Sequence, residues 1–426
     1  MTQLQTIACS EIKHPRLIEG SSASQSALSS PGRAAPRASE ARKFHKAAPV
    51  SYRTRIASGA DALRASLSEI GPDAVSTPFQ TATWINAWLD TIGKARNCDI
   101  HVAEIRDGRS GELMLVLPLV RRKHGLTTLI ELPDFGLADY GGPVFKAAFR
   151  PDRAGMNRIW AQLIADLPSA DILKINRLTK TSGSRDNPLM LLDGITRDEQ
   201  SAWGTYLPEA PADFASLGLP KKRARELNKR FRRMAEFGPV EFRVASNPAE
   251  VDRFFQTMCR QRARRHAEMG RPDSLEHTDI RAFFHTMLQG GSDRAPARIQ
   301  AVLVGNEIVA TGYGLQSPQG FHVIFATLQD GIWRPLSPGL QYFRMSMAWA
   351  SSSHEGGLYY DFTVGSEQYK AELGATETPL FELVQPLSPR GHAAIAFGRA
   401  RRFIRSQPRL AHLLRCTART LNLRSA

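Results

Sequence analysis

Arg298-Ile-Gln-Ala-Val-Leu-Val304, Gly305-Asn306, Ile308-Val-Ala-Thr-Gly-Tyr-Gly-Leu315, Ser317-Pro-Gln-Gly320 and Phe321-His-Val-Ile-Phe-Ala-Thr327 form the run whose reading decides the fold. Three apolar stretches of strand length are separated by a tight turn and a Ser-Pro-Gln-Gly turn, the pattern of an antiparallel meander. A loop, Trp333 to Gly339, then leads into a helical stretch, Leu340 to Ala350, and a strand, Leu358 to Val364. The same order stands earlier in the chain. Phe79, Trp84, Ala87, Trp88 and Leu89 lie on one side of a helical wheel, with Thr81 or Thr83 as cap. Strands follow at Asp99–Ile105, Glu112–Arg121 and Thr127–Leu132, parted by Arg106 to Ser110 and by Lys123-His124-Gly125. Asp139-Tyr140-Gly141-Gly142-Pro143 breaks the chain, Met156–Asp166 is helical in period, and Asp171–Arg177 reads as a strand. A repeated order of helix, meander, helix and strand predicts two similar α+β lobes.

The 426 residues, 42% hydrophobic, suffice for more than one core. Cys9, Cys98, Cys259 and Cys416 stand singly, so the sequence predicts neither a disulfide framework nor a metal site, and a reducing, cytoplasmic compartment. The N-terminus lacks the cationic start and apolar core of a secretory signal, and no apolar run reaches the length of a transmembrane segment. A net charge of +15 implies attraction to an anionic partner: nucleic acid, a membrane surface, or a phosphorylated cofactor or sugar.

Residues 1–48, rich in Ser, Ala and Arg and poor in large apolar groups, read as a disordered leader, and the globular pattern starts at Thr77. After Leu219-Pro220, a helix carries Lys221, Lys222, Arg223, Arg225, Lys229, Arg230, Arg232 and Arg233 against Glu226, with Leu227, Phe231 and Met234 as its apolar stripe. This is either a solvated face or a phosphate-binding surface. A second basic helix bears Arg260, Arg262, Arg264, Arg265 and His266. Arg390 to Ala426 holds no acidic residue and has an amphipathic, basic pattern, read either as peripheral contact with an anionic bilayer or as a frayed tail.

Chemistry concentrates after the second meander. At Leu336-Ser337-Pro338-Gly339-Leu340, Pro338 pre-sets the first helical turn, Ser337 is placed to cap, and Gly339 allows close approach of a ligand to the backbone. Such a turn into a helix suits a pyrophosphate, although it also makes ordinary helix starts. Tyr359 to Gly365 is a strand, after which Ser366 is placed to cap a short helix carrying Tyr369 and Lys370. Asp361, Tyr369 and Lys370 are the polar groups best placed for a cleft, and alternation puts His322 either in that cleft or in the core. No Gly-x-Ser-x-Gly elbow, P-loop or dinucleotide fingerprint occurs.

Trp333-Arg-Pro-Leu-Ser-Pro-Gly339 and Tyr360-Asp-Phe-Thr-Val-Gly-Ser-Glu-Gln-Tyr-Lys370 resemble the Ser-Pro-Gly and Asp-Phe-x-x-Gly-x-x-x-Tyr-Lys signatures of the CelD/BcsL-type GNAT acetyltransferases associated with cellulose biosynthesis. Pro78-Phe79-Gln80, Trp84, Trp88, Pro118-Leu119, Arg121-Arg122, Asp139 to Pro143 and Lys221 to Leu227 match as well, so the resemblance covers about residues 76–386. That family is related to the FemXAB-like transferases. The resemblance implies tandem GNAT-like lobes, each a mixed, mostly antiparallel sheet flanked by helices. It implies acyl transfer from acetyl-CoA or another acyl-CoA, without a metal, to an amine or hydroxyl of a sugar, polysaccharide or envelope precursor. By matching position, Leu336 to Leu340 hold the donor's pyrophosphate and Tyr369 protonates the thiolate. Asp361 and His322 are candidate bases with Lys370 beside them, and Asp139, Tyr140, Lys221 and Arg225 are candidates for substrate binding. Two alternatives remain open: a FemX-like aminoacyl transferase using charged tRNA, and a non-catalytic nucleic-acid or membrane-surface binding protein.

The expected division is a leader at 1–48, a degenerate N-terminal lobe at 49–205, a basic helical connector at 206–297, a C-terminal core with the donor site at 298–388 and a basic tail at 389–426.

Overall fold

The computed structural model describes residues 51–208, 221–289, 296–318, 320–353 and 357–406, the last six by their backbone. The proposed leader at 1–48 and the tail beyond 406 lie outside the described residues.

Regular structure begins earlier than Thr77. β1 (Tyr52–Ser58) and α1 (Ala60–Ile70) come first, and Leu63, Leu67 and Ile70, spaced by four and three, bury one stripe of α1. The Thr81 hydroxyl accepts the Trp84 amide at 3.3 Å and caps α2 (Ala82–Trp88). The expected meander is β2 (Asp99–Asp107), β3 (Leu113–His124) and β4 (Thr127–Glu131). After β5 (Val144–Phe145) come α3 (Arg153–Ala165), β6 (Ile172–Leu178), the small hairpin β7 (Thr181–Ser182) and β8 (Arg185–Asp186), and β9 (Ile195–Leu207).

The C-terminal half repeats this order. α4 (Lys221–Ala235), β10 (Val240–Val244), α5 (Pro248–Glu268) and α6 (Thr278–Met287) lead to β11 (Ala297–Val304), β12 (Glu307–Ser317) and β13 (Gly320–Leu328). α7 (Pro338–Ser352), β14 (Leu358–Val364), α8 (Gln368–Glu372), β15 (Thr376–Pro386) and α9 (Pro389–Ser406) follow.

Both halves share one mixed, mostly antiparallel sheet with the order β1-β2-β3-β4-β6-β15-β9-β14-β13-β12-β11-β10. Read inward from its two edges, the halves mirror each other: each runs through an antiparallel meander and then one parallel pair, β4 with β6 or β13 with β14. At the centre the last strands change places, so that β9 pairs with β14 and β15 pairs with β6. The expected division at 205/206 falls inside β9.

Helices cover both faces. On one, α1, α2, α5 and α6 share a core that crosses between the halves. Aromatic edges stitch it together: Trp84 meets Phe283 at 4.7 Å between ring centroids, and Phe284 meets Tyr313 at 5.4 Å. On the other face, α3 packs over the N-terminal strands, and α4 and α7 over the C-terminal ones. No described helix is long and apolar enough to cross a membrane.

Because Leu383 of β15 is buried in the core of the opposite half, Leu383→Ala is expected to cost about 2–5 kcal/mol, the usual range for a buried leucine truncation. Urea unfolding should move as one transition by fluorescence and by circular dichroism; two separated transitions would show that the halves fold independently.

Candidate active site

β13 and β14 are paired only over Gly320–His322 and Tyr359–Asp361. Beyond that point they part. Thr363 takes a left-handed backbone, φ 56°, which costs a threonine conformational energy and redirects β14 away from its neighbour. From Ile324 onward β13 therefore keeps β12 on one side and has no strand partner on the other among the described residues.

At the point of parting sits Asp361, 1% exposed. The Tyr140 hydroxyl lies 2.8 and 2.7 Å from its two carboxylate oxygens, the Thr363 amide donates at 2.7 Å, and His322 Nδ1 lies 2.8 Å from Oδ2. A buried carboxylate needs such partners to remain charged. It selects the histidine tautomer with its proton on Nδ1, which leaves Nε2 as the acceptor, 3.0 Å from the Ser317 hydroxyl. Burial and the Asp361 charge hold the Tyr140 phenol well above its ordinary pKa, so it stays a donor.

Tyr140 is itself fixed from below. Its carbonyl accepts the Gln80 side-chain amide at 2.8 Å, and its ring meets Phe79 edge-on at 5.5 Å. Next to it, Gly141 passes the Asn176 carbonyl so closely that a Cβ would lie 2.2 Å from that oxygen, and no larger residue fits. The Pro78-Phe79-Gln80 and Asp139 to Pro143 segments thus converge on Asp361. Asp139 is half-buried, and desolvation, opposed by Arg177, raises its carboxyl to about 7.

A cavity of about 320 Å³ opens along the unpaired end of β13, beside Thr327 and Leu328, and continues to the start of α7 and to Tyr369. Gln261 fixes its floor, accepting from Thr327 at 2.7 Å and from Thr311 at 3.2 Å. Arg264, Arg265 and Arg334 stand around it, with Glu268 3.5 Å from Arg265 and Asp330 3.6 Å from Arg334. Pro338 opens α7, as expected, but Ser337 does not cap it. With φ 55° its hydroxyl turns away to accept from Arg230 of α4, while the Leu340 and Gln341 amides bond to its carbonyl. Gly339 therefore carries the first-turn amide with no acceptor among the described residues, and a Cβ there would crowd Leu328 at 3.3 Å. Leu336 is buried behind the turn.

Other expected residues are placed differently. Ser366 does not cap α8; Glu367 holds that position without a side-chain bond. Lys370 does not face the cleft: it is 2% exposed, and its ammonium donates to the Val364 carbonyl at 2.8 Å, to those of Thr363 and Gly365 at 3.4 Å, and pairs with Glu367 at 3.1 Å. It closes the end of β14. Lys221 and Arg225 lie exposed on α4, away from Asp139 and Tyr140. Tyr369 stacks on Phe343 at 5.0 Å and faces Phe362, on the α7 side of the sheet, whereas Asp361 and His322 look to the Tyr140 side. Burial, Glu367 and Tyr342 push its phenol up, so it is protonated at neutral pH. Ser317, Gln261 and the bend at Thr363 were not apparent as site features in the sequence, because only the paired strands bring them to the gap.

Residues 221–371, in the C-terminal half, match the family model described as "Acetyltransferase (GNAT) domain". No protein of curated function matches the sequence. Among solved structures, FemX is similar at 12% identity and TM-score 0.49, over 76% of this chain and 96% of its own. A tandem GNAT protein from the clavulanic acid biosynthesis pathway is similar at 12% identity and TM-score 0.43, over 79% and 99%. The C-terminal domain of a putative lysylphosphatidylglycerol synthetase from Agrobacterium fabrum gives 11% and 0.45, over 80% and 95%.

Since the folded state holds Asp139 protonated up to about 7, its contribution to stability is complete below the unfolded carboxyl pKa, about 4, and is lost as the pH rises through about 7. Asp139→Asn should remove that part of the pH dependence, read as urea midpoints across this window. An unchanged profile would contradict the raised value.

Proposed function

We propose that this protein moves an acyl group, in the first instance acetyl, from an acyl-CoA to a hydroxyl or amine of a sugar, polysaccharide or envelope precursor. The observation that carries this reading is the parting of β13 and β14 after His322 and Asp361, with a cavity farther along β13, from Ala326 to the amide of Gly339, that Arg264, Arg265 and Arg334 line. From His322 to Thr327 is roughly 17 Å of extended strand, the kind of span that separates a thioester from its nucleotide phosphates along an extended arm.

The donor lies with its phosphates at the start of α7, where the helix terminus and arginines favour negative charge. Its thioester reaches the gap beside the unpaired β13 edge, whose N–H groups are placed to stabilise the developing oxyanion. An acceptor approaching from the Tyr140 side gives its proton to His322 Nε2, directly or through the Ser317 hydroxyl, while Asp361 holds the imidazole and steadies its positive charge. The acceptor oxygen or nitrogen bonds to the acyl carbon, the C–S bond breaks, and the thiolate takes a proton from Tyr369 on the opposite side of the gap. Lys370 supports β14 rather than the reaction.

On this reading residues 298–388 form the donor core, the N-terminal lobe shapes the acceptor side, and the likeness to the CelD/BcsL-type enzymes points to cellulose biosynthesis in the cytoplasm, with the basic tail at the inner membrane face. A second reading, FemX-like aminoacyl transfer from charged tRNA, draws support from the exposed cations of α4, which reaches the donor turn through Arg230 and Ser337.

Calorimetry with acetyl-CoA is expected to give one saturable site, abolished by Gly339→Val. Tyr369→Phe should lower kcat by about 100-fold or more with the acetyl-CoA affinity retained, as removal of a general acid does. No acetyl-CoA binding, combined with salt-sensitive binding of charged tRNA, would replace the first reading by the second.

A further inference from the structure

A second cavity opens in the N-terminal half, where the repeated strand order places the counterpart of the donor gap. β4 and β6 are paired over Leu129–Glu131 and Ile172–Lys174 and then part. As in β14, a non-glycine residue with a left-handed backbone follows, here Arg177 with φ 53°. The cavity at this point is about 670 Å³, within the range of small-molecule sites.

Its charges are not all spent on one another. Arg121 pairs with Asp99 at 3.1 Å, Arg122 with Glu131, and Arg96 with Asp279 at 2.5 Å. The Lys174 ammonium has no hydrogen-bond or ion-pair partner among the described residues, and the Arg177 guanidinium is held by neutral groups, the Ala138 carbonyl and Gln200 at 3.0 Å. The Lys174 ammonium thus lacks a carboxylate partner, whereas the Arg177 charge acts on the carboxyls of Asp134, in the same wall, and of Asp139 without an ion pair to either. In the same wall the buried Oδ1 of Asn176 has no donor, an arrangement that normally costs about 1–3 kcal/mol and that a ligand hydroxyl or N–H would relieve. An unpaired ammonium and a guanidinium bonded only to neutral groups, beside an acceptor oxygen without a donor, match a ligand that carries both a phosphate and hydroxyl or amine hydrogens.

We propose that this pocket binds the phosphate of a small hydroxylated phosphoester, a sugar phosphate or nucleotide, through Lys174 and Arg177, with Asn176 accepting from a hydroxyl or N–H of the same molecule. The inference does not rest on the acyl-CoA reading. It assigns the N-terminal lobe a ligand site of its own.

Cys98 lines the pocket, half-buried and with its thiol pushed up by burial, and so reports on occupancy. Cys259, half-buried on α5, is the control. Alkylation of the full-length protein by iodoacetamide in mildly alkaline buffer, read peptide by peptide by mass spectrometry, is followed with glucose 1-phosphate, with UDP and with CoA. At least one probe is expected to slow Cys98 severalfold and leave Cys259 unchanged. Lys174→Met should weaken that protection by about tenfold, the loss of one charge-assisted hydrogen bond, with the melting temperature retained. Protection by glucose 1-phosphate or UDP identifies an acceptor-type phosphoester, and protection by CoA alone a second CoA-type ligand; each supports the phosphate site. Absence of protection by every probe, or equal protection in Lys174→Met, overturns it. Gly339→Val should leave Cys98 protection intact, which separates this site from the donor cavity.

Discussion

A buried carboxylate at the inner end of a parting strand pair governs the rest of this structure. Asp361 lies where ionisation would be prohibitive without partners, and its partners come from distant parts of the chain: Tyr140 from the N-terminal half, His322 from the neighbouring strand, and the Thr363 amide from the bend that follows. Removing any one leaves charge or donors uncompensated in a dry site. The loop at Tyr140 must therefore be held in place, and Gln80, Phe79 and the close passage of Gly141 against Asn176 hold it. What reads in the sequence as several separate short motifs is physically one support for one carboxylate.

The sheet explains why two halves act as one unit. Exchange of β9 and β15 at its centre makes each half complete only in the presence of the other, and the aromatic contacts around Trp84 add a second seam. The exchange also leaves two gaps, one after each parallel pair, each followed by a residue with a left-handed backbone. Near the C-terminal gap Tyr369 and the His322–Asp361 pair stand on opposite sides of the sheet, and of these residues Tyr369 lines the cavity beside β13. Backbone strain at Thr363 and Ser337 is offset by the hydrogen bonds and packing around them and keeps the gap open.

The sequence and structure agree most closely where a signal is local. Alternating apolar runs and turn residues placed both meanders, the helical stretches after them and the start of α7 at Pro338, because strand and helix periods are written in the order of neighbouring residues. The capping expectations at Ser337 and Ser366 did not hold, because a hydroxyl bonds whichever partner tertiary packing supplies, and Arg230 reaches Ser337 from α4. Lys370 is the sharpest case. A lysine beside a candidate cleft invites a catalytic role, yet the carbonyls ending β14 converge on its ammonium and remove it from the site.

By itself, then, the sequence determined the repeated α+β order, the basic character of the chain, and a short set of polar residues, Asp361, His322, Tyr140 and Tyr369 among them, whose local settings suit a cleft. Only the tertiary structure decided which of these meet, where the strands part, which cations keep a free charge, and that the two halves exchange their last strands. The reason is range: periodicity and turn chemistry act over a few residues, whereas Tyr140 and Asp361 are 221 positions apart and are joined only because the sheet and its shared core bring their backbones together.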